Sequence, residues 1–214
     1  MSIVVNSNIP SMMAAHHMRT TRDGLETAME RLSSGKRINS ADDDAAGAGI
    51  AARVKGEKVA TDMAMRNAAD VISIAQIGEA ATVEIENMLI RLKELHIQQD
   101  SDTYKSTDQT LIGLEITALK AEITRISGDT KWNGAVIPAT LDTVISTAGA
   151  NTTVTLDTLG DITTVTNLTT VNTALDNVAT IRGNYGAAIN RMEYTINNLS
   201  NISANLAAAH SRLM

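Results

Sequence analysis

Cysteine and phenylalanine are both missing from the 214-residue sequence, and tryptophan occurs once, tyrosine three times and proline twice. Without cysteine there is no disulfide framework and no thiolate metal site, and redox chemistry carries no information about compartment. Without bulky aromatics, burial falls to Leu, Ile, Val, Met and Ala, whose small cross-section suits closely packed helices better than a broad globular interior. Clustered positive charge is lacking too, with 18 Lys and Arg against 24 Asp and Glu and a net charge of −6. That balance argues against nucleic acid or an anionic membrane surface as partner, because counterion release needs grouped cations. No apolar run is long enough to span a bilayer, and the opening MSIVVNSNIP has neither a basic region nor a small-residue cleavage site. Neither a transmembrane helix nor a signal peptide is read here, and taken alone these features point to the cytoplasm.

What is present is organised around Glu30–Ala52, ERLSSGKRINSADDDAAGAGIAA. Ser33, Ser34 and Gly35 end a helical pattern, and Lys36 and Arg37 place positive charge near its negative end. Asn39 continues the polar loop; Ser40 followed by Asp43 fits the Asp variant of a capping box, and Asp42, Asp43 and Asp44 suit the first turn of a new helix. The loop therefore separates an arm from a rod: residues 1–42 as arm and connecting loop, and residues 43–214 as a helical domain.

The arm has Met18, Leu25, Ala28, Met29 and Leu32 at helical spacing over Ser11–Leu32, with Pro10 at the start. A lone helix of that size is marginal in water, so the arm is expected to be docked or disordered. From Asp43 to Gln98 a single helix is predicted, its seam running through Val71, Ile74, Ile77, Ala81, Ile85, Met88, Leu92 and Leu95. At the helical rise it spans roughly 80 Å. Gly47, Gly49, Gly56 and Gly78 mark places where it bends or meets another backbone. A second helix over Thr110–Ile126 folds back antiparallel, and a third seam runs over Val171–Leu213. The expected fold is mainly α, an elongated antiparallel coiled-coil bundle, with a shared core of Ile85, Met88, Leu92, Ile116, Leu119, Ile189, Met192 and Ile196.

Between the last two helices the composition turns to Thr and Val. Asn133–Gly134 is a turn pair, and Thr143–Thr147 and Thr152–Leu156 around Ala148–Asn151 read as a small β-hairpin element at about 132–160. Chemical motifs fail on inspection. Gly47, Gly49 and Ala52 follow three aspartates rather than an apolar strand, so close helix packing explains them better than a dinucleotide site. Gly35–Lys36 lacks the rest of a phosphate loop, and the aspartates lack the alternate spacing of a calcium loop. His16, His17, His96 and His210 show no zinc spacing. No nucleophile is paired with a base, so neither an enzyme nor a cofactor is expected.

LSSGKRINSADDDAAG, followed by NAADVISIAQIGEAATVEIENMLIRLKELHIQ, closely resembles the amino-terminal region of bacterial flagellin. The resemblance continues through ISGDTKWNGAVI and resumes at Val178–Leu213. It implies a secreted structural subunit that leaves through the flagellar export apparatus and stacks into the filament for motility. The arm would form the filament's inner core, disordered until polymerised, with Ser33, Gly35, Arg37, Asn39, Ser40 and Asp43 as the assembly loop and helix start. Implied partners are other subunits of the homopolymer and the export, chaperone, cap and junction proteins. The chain resembles a short form without a large outer domain, and the further core helix that the resemblance implies after SANLAAAHSRLM is expected to be lacking, through truncation, clipping or use of a partner's helix. Alternatives are the hook–filament junction protein of the same apparatus and a soluble helical binding module or chaperone.

Two finer expectations follow from the resemblance. The Thr-rich stretch through Asp161–Thr173 is either a solvated linker or an O-glycosylation region. Arg91, Leu95 and Glu115 fall on positions similar to those that contact the innate immune receptor for flagellin. Arg91 and Leu95, four apart, share a helix face, and Glu115 arrives from the antiparallel helix. The alternative is an ordinary solvated face with Leu95 in the core.

Overall fold

The computed structural model describes residues 8–146, 151–157 and 165–214. Among the described residues there are four helices, α1 (Ile9–Ser34), α2 (Ala45–Gln99), α3 (Ser106–Asp129) and α4 (Leu168–Leu213), with four short strands between α3 and α4. These are β1 (Lys131–Trp132), β2 (Ala135–Val136), β3 (Thr140–Val144) and β4 (Asn151–Thr155). The chain is therefore mainly α with small antiparallel β elements. It divides into two compact units: residues through Val59 with Ala204–Met214, and Ala60–Ser203.

In the first unit, the Asn8 side chain accepts the Ser11 N–H at the start of α1, and Pro10 occupies the first turn. Gly35 ends the helix in the left-handed region at φ 66°, its N–H donating to Arg31 O at 2.9 Å. The loop then docks on the end of α4, where Met214 O accepts the N–H groups of Arg37 and Ile38. Arg37 Nη2 also donates to Leu213 O at 3.2 Å. These bonds explain why the compact unit combines the loop with both the start of α2 and the end of α4, whereas the sequence pattern alone places a division at 42/43.

Ala60–Ser203 holds the bundle. Along α2 the buried positions Thr61, Ala64, Ala68, Val71, Ala75, Gly78, Thr82, Ile85, Leu89, Leu92 and His96 alternate steps of three and four as a heptad seam requires, and Ile74 and Leu95 are buried beside that line. On α4 the matching line includes Val171, Ala174, Val178, Ile181, Tyr185, Ala188 and Met192. The two run antiparallel, since Asp62 Oδ1 accepts from Ser203 Oγ at 2.7 Å and Glu86 pairs with Arg182. Helix α3 folds back on α2, with Gln99 Nε2 donating to Gln109 O, and contributes Ile116 and Ile123. Of the expected shared core, Ile85, Leu92, Ile116 and Met192 are buried, and Met88, Leu119, Ile189 and Ile196 pack against them partly buried.

One seam position is corrected. Ile77 is 37% exposed, and Gly78 faces α4 instead. A Cβ at Gly78 would lie 2.6 Å from the Tyr185 hydroxyl oxygen, so the helices meet where side chain is least. Gly47 likewise touches Ile38, whereas Gly49 and Gly56 face open space.

Asn133 and Gly134 have φ values of 48° and 81°, the double positive of a type I′ turn joining β1 to β2. Strand β3 pairs with β4 from Thr140↔Thr155 to Val144↔Asn151, so the first strand starts three residues before its predicted position. Of the predicted turn, Ala148–Ala150 lie outside the described residues and Asn151 opens β4. The hairpin buries Val154 and Leu156 in the bundle core. Of the expected linker or glycosylated stretch, residues 161–164 lie outside the described residues; from Leu168 it is helix, started by reciprocal bonds between Asn167 and Thr170.

Candidate functional site

Helix α1 buries none of its residues. Met18, Leu25 and Leu32 recur every seven residues, with Met29 alongside, and they are 75%, 59%, 83% and 61% exposed. Leu32 and Leu25 are thus part of an apolar seam of coiled-coil spacing that is exposed to solvent.

The loop after it is built on carboxylates. Asp43 Oδ2 accepts the backbone N–H groups of Asn39 at 2.9 Å and Ser40 at 3.3 Å, and its Oδ1 accepts from Arg31. Those bonds, the Asn39 amide first, hold the Asp43 carboxyl below its ordinary pKa. The reciprocal bond expected of a capping box is replaced by the Asp43 N–H donating to the Ser40 carbonyl. The residue that caps α2 is Asp44, whose Oδ1 accepts the Gly47 N–H at 2.8 Å, so the helix begins two residues later than Asp43. Ser33 lies in the last turn of α1, Gly35 ends it, and Arg37 reaches Leu213. Ile38 is buried, and beside it a cavity of about 250 Å³ is lined by Asn39, Ala51, Lys55 and His210. The sequence signal for Ile38 was available: it is the one bulky apolar residue in a polar loop.

On α2 and α3 the structure brings Arg91 and Glu115 together. Arg91 Nε and Nη2 both donate to Glu115 Oε1, at 3.1 and 3.0 Å, and Nη1 donates to Glu94 Oε2 at 3.0 Å. The Glu115 hydrogen bonds, then those of Glu94, raise the guanidinium pKa. All three side chains are about half exposed, so the cluster orients side chains more than it stabilises the fold. Leu95 is not on that surface; it is 1% exposed, in the core beside the seam residues Leu92 and His96. The exposed apolar groups of this region are Ile90, Ile97, Leu111 and Leu114.

Sequence reasoning missed a polar node. Asp157, at φ 64°, accepts from Asn184 Nδ2 at its carboxylate and from the Tyr185 hydroxyl at its carbonyl. Burial, then the Asp157 charge, pushes the Tyr185 pKa up to about 12. Positive φ at an aspartate in a Thr-rich run carries no sequence signature.

A closed helical bundle in Ala60–Ser203 and a helix α1 with an exposed apolar stripe, with no paired nucleophile and base among the described residues, mark the class of helical structural proteins. Residues 5–143 match the bacterial flagellin N-terminal helical region, and 168–214 match the bacterial flagellin C-terminal helical region. A flagellin of Halalkalibacterium halodurans is 37% identical over 231 residues, covering 99% of this chain and 85% of that protein. A Salmonella typhimurium flagellin is 43% identical over 157 residues, 73% of this chain and 32% of that one. Polar flagellin F of Vibrio parahaemolyticus is 42% identical over 63% of this chain and 36% of its own length. The crystal structure of Bacillus cereus flagellin superposes with a TM-score of 0.53 at 28% identity, over 68% of this chain and 94% of that one. The chain belongs to the bacterial flagellin family. It is a structural subunit of the extracellular flagellar filament, polymerising with its own copies, and not an enzyme. The junction-protein and binding-module alternatives are not favoured by these matches.

Proposed function

We propose that this subunit joins the filament by covering the seam of α1, with residues 1–42 entering the filament's inner core and Ser33, Gly35, Arg37, Asn39, Ser40 and Asp43 forming the assembly loop and helix start. The observation that carries this reading is the heptad of exposed apolar side chains Met18, Leu25 and Leu32. Identical subunits meeting through contacts that do not close give an open helical polymer, and a neighbouring copy supplies the apolar surface that α1 lacks in isolation. A helix carboxy-terminal to α4, where one is present, serves the same seam. Secretion through the flagellar export apparatus, with its chaperone, cap and junction proteins, fits a chain in which no described helix is long and apolar enough to cross a membrane. Sedimentation and electron microscopy test the reading: wild-type protein should form filaments with rising concentration, and Leu25→Asp with Leu32→Asp should abolish them. Filaments of undiminished length from the double variant would overturn it.

A second reading rests on the Arg91–Glu115 pair. We infer that this exposed, pre-oriented guanidinium and carboxylate form the contact for the innate immune receptor that binds flagellin monomers, with Leu95 acting from beneath by fixing the α2 surface. Arg91→Ala and Glu115→Ala should weaken monomer binding to the receptor at an unchanged melting temperature. Equal binding by wild type and the double variant would discard the patch.

A further inference from the structure

We propose that α1 is an oxidation-sensitive segment, in which Met12, Met13, Met18 and Met29 are modification sites for a two-electron peroxide oxidant and their sulfoxides disable the free subunit for assembly. The four methionine residues are 67%, 57%, 75% and 61% exposed, on a helix with no buried residue. Met192, by contrast, is fully buried in the bundle. Oxidation of a thioether follows access to its sulfur, so attack falls on α1 and spares the core.

The step balances without help from the protein. A sulfur lone pair attacks one peroxide oxygen, the S–O bond forms and the O–O bond breaks. The transferred hydroxyl gives its proton to the departing hydroxide, so sulfur is oxidised by two electrons and the peroxide is reduced to water.

The consequence follows from where the sulfurs lie. Met18 and Met29 belong to the same stripe as Leu25 and Leu32, and a sulfoxide oxygen there is a strong acceptor that must either stay in water or find a donor when the stripe is covered. An apolar seam offers none. Because the modification can be reversed by sulfoxide reductases, the exposed arm reports the oxidation state of the unassembled pool while the bundle stays folded. This consequence rests on the proposed burial of α1 in the filament.

The test treats the full chain with hydrogen peroxide as a dilute monomer, maps sulfoxides by peptide mass, and then assays filament formation by sedimentation. The expected result is oxidation of the four α1 methionines on the order of tenfold faster than Met192, an unchanged melting temperature, and loss of sedimenting filaments. Met63, 46% exposed on α2, provides a control. A variant with Met12→Leu, Met13→Leu, Met18→Leu and Met29→Leu keeps Met63 and should assemble after peroxide as well as before. Oxidation of Met192 at the same rate as the α1 sites overturns the inference, as does full assembly of oxidised wild type. If untreated protein forms no filaments although α1 oxidises selectively, the assembly reading itself fails and takes the functional consequence with it.

Discussion

At Gly78 the side chain of α2 is reduced to a hydrogen because Tyr185 of α4 fills the space a methyl group needs. Tyr185 is fully buried and its hydroxyl is committed to the Asp157 carbonyl, so it cannot swing aside without losing a hydrogen bond. Alanine at position 78 gains about 1 kcal/mol of helix propensity, against about 1 to 3 kcal/mol for overpacking a closed core. The clash should win, and Gly78→Ala should lower the melting temperature, whereas Gly56→Ala, facing open space, should raise it slightly. His96 is the second residue with a predictable cost. It is buried, its Nε2 has no hydrogen-bond partner among the described residues, and burial first and the Lys120 charge second lower its pKa, with Asp100 opposing. An unfolded histidine takes up a proton near pH 6.5 that the folded one refuses. The contribution to stability is therefore complete above about pH 6.5 and is lost as pH falls through the depressed folded value. Chemical denaturation from pH 7.5 to 5 should show stability falling, and His96→Leu should flatten that part of the profile. An equal slope in both proteins would clear His96 of the effect.

Among the elements, α1 is one whose existence is legible in the sequence, which left open whether it docks or is disordered. Pro10 and Gly35 mark its ends, and its apolar residues have no complementary stretch nearby. Amide exchange should therefore be fast from Ile9 to Ser34 in the dilute monomer and slow around Ile85, because a helix without tertiary contacts opens readily. Protection of α1 equal to that of the bundle would contradict its exposure. The bounds of α2, α3 and α4 were legible within a few residues for the same reason: caps and turn formers act locally. What the sequence could not supply was one position of the seam: Val71, Ile74, Ile85, Leu92 and Leu95 are buried as expected, and Ile77 is not. Ile77 and Gly78 are adjacent, and hydrophobicity favours Ile77; only the approach of Tyr185 from a distant helix selects Gly78. The same one-residue ambiguity separates Asp43 from Asp44 at the start of α2, since both carboxylates suit a first turn and the choice falls to the loop, where Asp43 is occupied by Asn39, Ser40 and Arg31. Arg91, at the surface, and Leu95, in the core, are four residues apart on one helix face, and spacing alone does not say where along that face burial begins. The misses at Ile77 and Asp157 are set by long-range contacts, while the helix bounds are propensities set by neighbours.

For the molecule as a whole, stability and assembly should be separable because they rest on different sets of apolar side chains. The bundle of Ala60–Ser203 buries Ile116 and Ile123 of α3 against the seam of α2, and the seam of α1 contributes nothing to that core. Ile116→Ala should cost about 2 to 5 kcal/mol, a large fraction of the roughly 5 to 15 kcal/mol that holds an ordinary domain together. Well below its lowered melting temperature, however, the variant should still present α1 unchanged and form filaments at the wild-type concentration. Leu25→Asp should do the opposite, because a half-exposed side chain on a free helix is not part of any folded core: the thermal unfolding curve of the monomer should stay the same while filaments are lost. The two outcomes depend on each other as controls. If Ile116→Ala abolished filaments at a temperature where its far-ultraviolet spectrum is native, the bundle surface rather than α1 would be the assembly determinant. If Leu25→Asp shifted the monomer's melting curve, α1 would be packed in solution and its exposed heptad would no longer account for polymerisation.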